Sequence, residues 1–371
     1  MKYRNIELYY QQALDDAGTK IIDLRTTDPI SAIRLNFSGT NGATHNKENF
    51  MNSVITKIEL VDGSDQLISM TMKEAQAMQY RLTGKMPHMR PGESGGGGQE
   101  ESVTLMFGRY LWDPEYFMDL TKFRNPQLKI TTNIAAVRAA GDEGYVTNKL
   151  KVTIDLLVIE EGAEAAKGFL MQKNIYGFTS GTAGDEHVDM PLDYPYVGLL
   201  LRAYIAGNDV NENIEKIKIN CDAGKFIPLE KYVNDLYRWE EEELGAAELR
   251  YYLFRKHGET VDHILNHDPI IALTPSVAGH IAGASWSWSS NFYLVLTNDA
   301  GVAITSEELI EFIAKGSCPH STVFVPFGLL ANPATYFDPK VFGDIDLVLT
   351  QKAVSTVDIV LCQLRGYGAA A

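Results

Sequence analysis

Two stretches of this chain, 219 or 220 residues apart, carry the same pattern. Residues 102–132 read SVTLMFGRYLWDPEYFMDLTKFRNPQLKITT, and residues 322–350 read TVFVPFGLLANPATYFDPKVFGDIDLVLT. Val103 answers to Val323, Phe107 to Phe327, Gly108 to Gly328 and Pro114 to Pro333. Tyr116 and Phe117 align with Tyr336 and Phe337, Phe123 with Phe342, Leu128 with Leu347 and Thr131 with Thr350. Each copy predicts strand, turn, short aromatic helix, strand. A long repeat limits the fold to one that the chain can build twice.

The repeat extends backwards. Val188-Asp189-Met190 matches Ile22-Asp23-Leu24, Pro195 matches Pro29, and Leu201 matches Leu35. IEKIKI at 214–219 matches ITKIEL at 55–60, and the last strand, 356–364, matches 151–158. Clean alternation at Leu150, Val152, Ile154, Leu156 and Val158 predicts a half-buried strand. Residues 71–82 and 230–238 have helical spacing without Gly or Pro, so one helix is expected at the same place in each copy. The spacing of Tyr3, Ile6, Tyr10, Ala13 and Leu14 predicts a short helical arm over residues 2–15. Residues 160–167 read as a polar, helix-prone connector. Between the helix and the returning strand the second copy carries 63 more residues than the first. That excess includes an alternating strand at 285–296 and a predicted helix at 306–314, with Ser306 as N-cap and acids in its first turn.

Short strands separated by turns need a second sheet to cover their apolar face, which indicates a sandwich or barrel. The count and length fit an all-β chain with short helices, folded as two tandem eight-stranded jelly rolls. The expected division is an arm (1–15), a first jelly roll (16–162), a connector (163–180) and a second jelly roll (181–371). An inserted tower is expected at about 239–320.

Charge limits the function. The chain has 371 residues and a net charge of −15, a poor match for phosphate-backbone binding, which needs clustered Lys and Arg. The N-terminus has no apolar core of the kind a secretory signal needs. Nothing approaches the ~20 apolar residues of a membrane-spanning helix. Three widely spaced cysteines, Cys221, Cys318 and Cys362, predict a reducing compartment and no disulfide framework.

With its two Asp-x-x-x-x-x-Pro corners (Asp23 to Pro29, Asp189 to Pro195), IEKIKINCDAGKFIPLE and TYFDPKVFGDIDLVLTQ, the chain resembles the double jelly-roll major capsid proteins. These build tailless icosahedral viruses of bacteria, archaea and eukaryotes, in the adenovirus-like structural lineage. The resemblance covers roughly residues 15–365. It implies a homotrimer forming a pseudo-hexagonal capsomer in a virion shell, with loops rising as towers, here from a bacterial or archaeal virus. It also implies minor capsid and vertex proteins as partners, often a membrane vesicle beneath the shell, and assembly in the host cytoplasm. No cofactor, no enzymatic activity and no sequence-specific nucleic acid binding are expected.

Catalytic readings fit less well. His263 and His267 stand four apart and would share a face if helical, but the residue after His263 is Ile, not the Glu of a zinc hydrolase. Loop histidines that bind nothing fit better. No His-x-His occurs, which argues against a metal-binding double barrel. Ser94 lies in a Gly-x-Ser-x-Gly match, but without the strand and helix that a nucleophile elbow requires. The Glu240–Glu243 run reads as a solvated helix face, and Glu160-Glu161 is a second carboxylate pair. Trp286 and Trp288 alternate with serines, as in a sugar-binding platform on a tower or in the core of one. The alternative class is therefore a double β-sandwich that binds or processes glycans.

The residues expected to matter are structural. Pro29 and Pro195 set strand corners, and Gly108 and Gly328 set the turn after the repeated strand. Tyr116, Phe117, Phe123, Tyr336, Phe337 and Phe342 anchor the helical loops, either inside each jelly roll or at a trimer seam.

Overall fold

A computed structural model describes residues 2–43, 46, 50–90, 95–137, 144–205, 208–255, 261–264, 267–276, 281–286, 291–297 and 308–367. Of these residues, those between 249 and 314, and 318, are described by their backbone only. The first half contains β1 (Lys2–Ala13), β2 (Ala17–Asp23), β3 (Ile30–Thr40), β4 (Ile55–Asp62), β5 (Asp65–Met70), β6 (Met89–Arg90), β7 (Gly98–Met106), β8 (Pro126–Asn133) and β9 (Lys151–Glu161). They form two sheets, in the orders β1-β9-β3-β7-β6 and β2-β8-β4-β5. Ile33, Leu35 and Phe37 of β3 and Val152, Ile154 and Leu156 of β9 are buried, while Arg34, Asn36, Thr153 and Asp155 between them are only partly covered. That period of two puts one face of the sheet into the core and leaves the other polar.

The second half repeats the plan with β10 (Gly168–Thr179), β11 (Asp185–Asp189), β12 (Tyr196–Tyr204), β13 (Ile214–Cys221) and β14 (Phe226–Tyr232). An insertion of six strands follows: β15 (Ala247–Arg255), β16 (Val261–Ile264), β17 (His267–Ser276), β18 (Ile281–Trp286), β19 (Asn291–Thr297) and β20 (Glu308–Pro319). Three more strands complete the chain: β21 (Thr322–Pro326), β22 (Ile345–Gln351) and β23 (Thr356–Gly366). The orders β10-β23-β12-β21 and β11-β22-β13-β14 match those of the first half strand for strand. Both halves are eight-stranded jelly rolls, with β6 an addition to the first. The inserted strands form two three-stranded sheets, β15-β20-β17 and β16-β19-β18.

One feature distinguishes the halves. In the sheet containing β10, β23 and β12, both faces are buried. Leu199, Leu201, Ile359 and Leu361 face the core of the second roll. Leu200, Val360, Cys362 and Phe324 join the core of the first. This explains why β12, YVGLLLRAY, is a continuous apolar run where β3 alternates.

Each roll covers the same vulnerable edge with a helix. α1 (Met51–Val54) precedes β4, and α2 (Met72–Thr83) follows β5. In the second roll, α3 (Val210–Asn213) precedes β13, and α4 (Val233–Leu244) follows β14. α2 begins with a capping box, Thr71 N donating to Glu74 Oε2 at 2.7 Å and Glu74 N to Thr71 Oγ1 at 3.3 Å. Gly84 ends it with φ 67°. Side chains on the helices satisfy backbone donors on the next strand. Gln79 Oε1 accepts from Thr104 N at 2.6 Å, and Glu240 Oε2 accepts from Phe324 N at 3.2 Å. An exposed edge would otherwise invite pairing with other chains.

Several sequence expectations are corrected. Residues 2–13 form strand β1, antiparallel to β9, and not a helix. Register shifts at Lys2/Tyr3, Glu7/Tyr9 and Tyr9/Gln12 break the period of two, and the resulting spacing mimics a helix. No helix occupies the described residues 160–167, and the expected connector, 163–180, contains β10. Residues 308–314, predicted helical, lie in β20, paired with β15 on one side and β17 on the other. Ladder bonds on both edges override a local helix preference. α4 runs to Leu244, so Trp239–Leu244 belongs to the repeated helix and not to the insertion. Glu240, read as part of a solvated run, is buried.

Burial pushes the Glu240 carboxyl up to about 7, against the opposing pull of Arg81 and the Phe324 N–H. A carboxyl raised in the fold is ionised more readily in the unfolded chain. Its penalty is therefore absent below the ordinary carboxylate range, grows as pH rises from that range to about 7, and is fully present above. Gln79 does the same task without a charge. Glu240→Gln is expected to raise the melting temperature near pH 8 and change it little near pH 4, measured by thermal unfolding at both pH values. Equal shifts at both would show that the charge is not what strains the site.

Candidate functional site

Among the described residues no concentrated chemical site is found; what they build most elaborately is the junction of the two rolls. β5 of the first roll pairs in parallel with β10 of the second, Ile68 opposite Gln172 and Ser69 opposite Lys173, fusing two four-stranded sheets into one of eight. Side chains reinforce it. Asn174 Nδ2 donates to Asp358 Oδ1 at 3.2 Å and to Glu74 Oε1 at 3.4 Å. Arg365 Nη2 reaches Asp65 Oδ2 at 2.6 Å. Tyr80 Oη donates to the Gly245 carbonyl at 2.8 Å, and Arg81 pairs with Glu243 at 2.6 Å while lying 4.7 Å from the Phe324 ring centroid. α2 thus rests on the outer face of the second roll. Burial there lowers Lys73 to about 7, helped by the Arg202 charge, and raises Glu74.

The repeated loops sit at the same junction. Ile30 and Met118 exchange two backbone hydrogen bonds, each 2.9 Å. Tyr196 and Phe337 do the same, at 2.8 and 3.2 Å. This sets the equivalence: Met118 corresponds to Phe337 and Phe117 to Tyr336, one residue away from the alignment read off the sequence. Pro29 and Pro195 stand just before these bridges. Their carbonyls accept from Ile159 N and Leu364 N, both at 2.9 Å. Gly108 and Gly328 lie where each loop turns back. A Cβ on Gly108 would fall 2.5 Å from the Tyr116 carbonyl oxygen, and one on Gly328, at φ +143°, 2.5 Å from that of Thr335.

The aromatics divide between two tasks. Phe337 stacks between Tyr196 and Phe342, at 5.5 and 5.4 Å, and Phe342 stacks on Phe226 at 5.6 Å, all within the second roll. Phe123 packs edge-on against Phe169 at 6.0 Å and Tyr367 at 6.1 Å, residues of the second half. Phe117 and Tyr336 are buried, and Tyr336 joins the core centred on the first roll. Tyr116 lies under Arg109, 4.6 Å from its guanidinium carbon.

Arg109 escaped the sequence reading, yet it ties the loops together. Its Nε and Nη2 grip the fully buried Asp113 at 2.6 and 2.8 Å, Nη2 also meets Glu115 at 2.7 Å, and Nη1 donates to the Ala331 carbonyl at 3.2 Å. Lys167 completes the group through an ion pair with Glu115. Burial alone would raise the Asp113 carboxyl; the Arg109 fork and the Glu115 and Arg109 N–H groups outweigh it and hold the carboxyl low. The Arg109-x-x-x-Asp113 spacing was the available signal.

The catalytic candidates do not converge. His263 is in β16 and His267 in β17, strands of different sheets, so no shared helical face exists. Trp286 ends β18 opposite Phe292. Trp288 and Ser94 lie outside the described residues. Glu160 and Glu161 are exposed and pair with Arg4 and Lys2. Cys221 and Cys362 are buried in β13 and β23, where burial raises their thiols. Among the described residues no three metal-ligating side chains cluster.

Two substitutions test the repeated loops. Arg109→Ala leaves the buried Asp113 charge unpaired and is expected to cost about 3–5 kcal/mol in urea unfolding. Phe337→Ala removes a half-buried, doubly stacked ring and is expected to cost about 3 kcal/mol. Wild-type midpoints for both would show that the loops are peripheral to stability.

No protein-family model and no curated protein sequence matches the chain. Solved structures do. The STIV major capsid protein superimposes with a TM-score of 0.59 at 12% identity, covering 98% of this chain and 97% of that one. The major capsid protein P2 of bacteriophage PM2 gives 0.55 at 10%, covering 98% of both. VP54 of PBCV-1 gives 0.58 at 10%, covering 98% and 93%. The likeness runs the length of each chain and takes in both rolls and their order, so this chain has the double jelly-roll fold that these proteins share.

Proposed function

We propose that this chain is the major capsid protein of a tailless icosahedral virus of bacteria or archaea, and that it works as a structural tile and not as an enzyme. The observation that carries the reading is the fusion of two equivalent jelly rolls through β5 and β10, in a chain whose fold matches capsid proteins over 98% of its length. A tile needs a near-sixfold outline. Three copies of a duplicated domain supply one with threefold symmetry. The two units are residues 2–161 and 168–367, with the β15–β20 insertion as a tower on the second.

The chemistry agrees with that role. A network of ion pairs and hydrogen bonds holds one roll to the other, and among the described residues no three metal-ligating side chains cluster. A net charge of −15 suits a shell that does not hold nucleic acid directly. The lattice itself, minor capsid and vertex proteins, and an internal membrane vesicle are the partners this reading brings with it.

Light scattering on the purified protein is expected to give a trimer, and electron microscopy to show pseudo-hexagonal particles or shells. A monomer that binds or trims oligosaccharides would overturn the reading in favour of the glycan-processing alternative.

A further inference from the structure

Duplication leaves two edges of the molecule without the partner that their counterparts have. Inside the chain, β5 of the first roll is covered by β10 of the second, and both strands are largely buried: Leu67, Ile68, Ser69 and Met70 on one, Phe169 to Gln172 on the other. The counterpart of β5 in the second roll is β14, since each pairs with the strand before it and leads directly into the long helix. The counterpart of β10 in the first roll is β1, the outer strand beside β9. Among the described residues β14 pairs only with β13, and β1 only with β9. Both are exposed along most of their length, and both display large apolar side chains: Phe226, Ile227 and Tyr232 on β14, and Tyr3, Tyr9 and Tyr10 on β1.

The pairings fix the equivalent positions. Leu229 lies opposite Ile219, itself opposite Leu347; Ile68 lies opposite Leu60, itself opposite Leu128. Leu229 is therefore the second-roll Ile68, and Glu230 the second-roll Ser69. Asn5 lies opposite Leu157, which also faces Ala32; Gln172 lies opposite Cys362, which also faces Gly198. Asn5 is therefore the first-roll Gln172, and Ile6 the first-roll Lys173.

We propose that β14 of one copy pairs in parallel with β1 of the next, Leu229 facing Asn5 and Glu230 facing Ile6, repeating between chains the contact that β5 and β10 make within one. This rests on the capsid-tile reading and names its seam. The contact is head-to-tail, with different surfaces on the two partners, so it propagates until a rotation closes it, and three chains close a ring of six rolls. Such a ring joins β11-β22-β13-β14 of one copy to β1-β9-β3-β7-β6 of the next as one nine-stranded sheet and leaves neither β14 nor β1 as an edge. The seam between chains is also more polar than the seam within one. Where Leu200 and Val360 of the second roll meet the first, the first roll presents Arg34 and Asp155 at the equivalent positions. A polar version of the contact lets the separate chain remain in solution until it assembles.

Cysteines placed across the seam test this. Paired strands run about 4.8 Å apart, within disulfide reach. In a Cys318→Ser background, Asn5→Cys with Leu229→Cys is expected to give covalent dimers and trimers on non-reducing gels after mild oxidation, and each single substitution is not. Ser69→Cys with Lys173→Cys is the control, forming the same bond within one chain. A protein that is trimeric by light scattering, whose control pair closes and whose seam pair does not, overturns the seam and leaves the tile reading intact. A protein that is monomeric throughout overturns both.

Discussion

The structure depends on one short parallel pairing, between β5 of the first roll and β10 of the second. Two rolls joined by a linker would move independently, because small polar interfaces between domains do not hold an angle. Here the hydrogen-bond ladder runs through, the sheet beyond β10 is buried on both faces, and α2 lies across it. Leu200, Val360 and Cys362 belong to the core of the first roll although they sit on strands of the second. The orientation of the two rolls is thus fixed by the same apolar burial that folds each of them.

The repeated loops lock that arrangement. In each roll a two-bond bridge pins the loop to the start of a core strand, and a glycine lets the backbone close over itself. The rings then diverge: Phe337 and Phe342 stay in their own roll, while Phe123 crosses to Phe169 and Tyr367. Arg109 and Arg81 act alike, since a planar cation can hold carboxylates on one side and meet a carbonyl or ring of the other roll. Both arginines sit on elements that occur in each roll, a helix and a loop, and in the first roll those elements face the second.

Much of the fold was legible because duplication shows itself as matched residues. The offset between copies located the insertion, and the alternation of β9 and the capped helix α2 are local signals with local causes. Two elements depart from local expectation for one reason. β1 carries bulges and β20 is helix-prone, yet both are strands because a partner strand lies beside them. Glu240 was misread differently: in a run of four acids nothing local marks the one that turns inward to meet Phe324 N.

By itself the sequence determined that one sandwich is made twice, where the second copy is enlarged, and which strand faces are apolar, since these follow from periodicity and from the identity of matched positions. Tertiary structure decided what the repeated stretches at 102–132 and 322–350 are for. Their aromatic residues occupy similar positions in both copies, but a ring becomes part of a roll or part of a seam only when the surface opposite it is known. The first copy has the second roll against it and the second copy does not. That asymmetry comes from chain order in space, and the rings themselves do not record it.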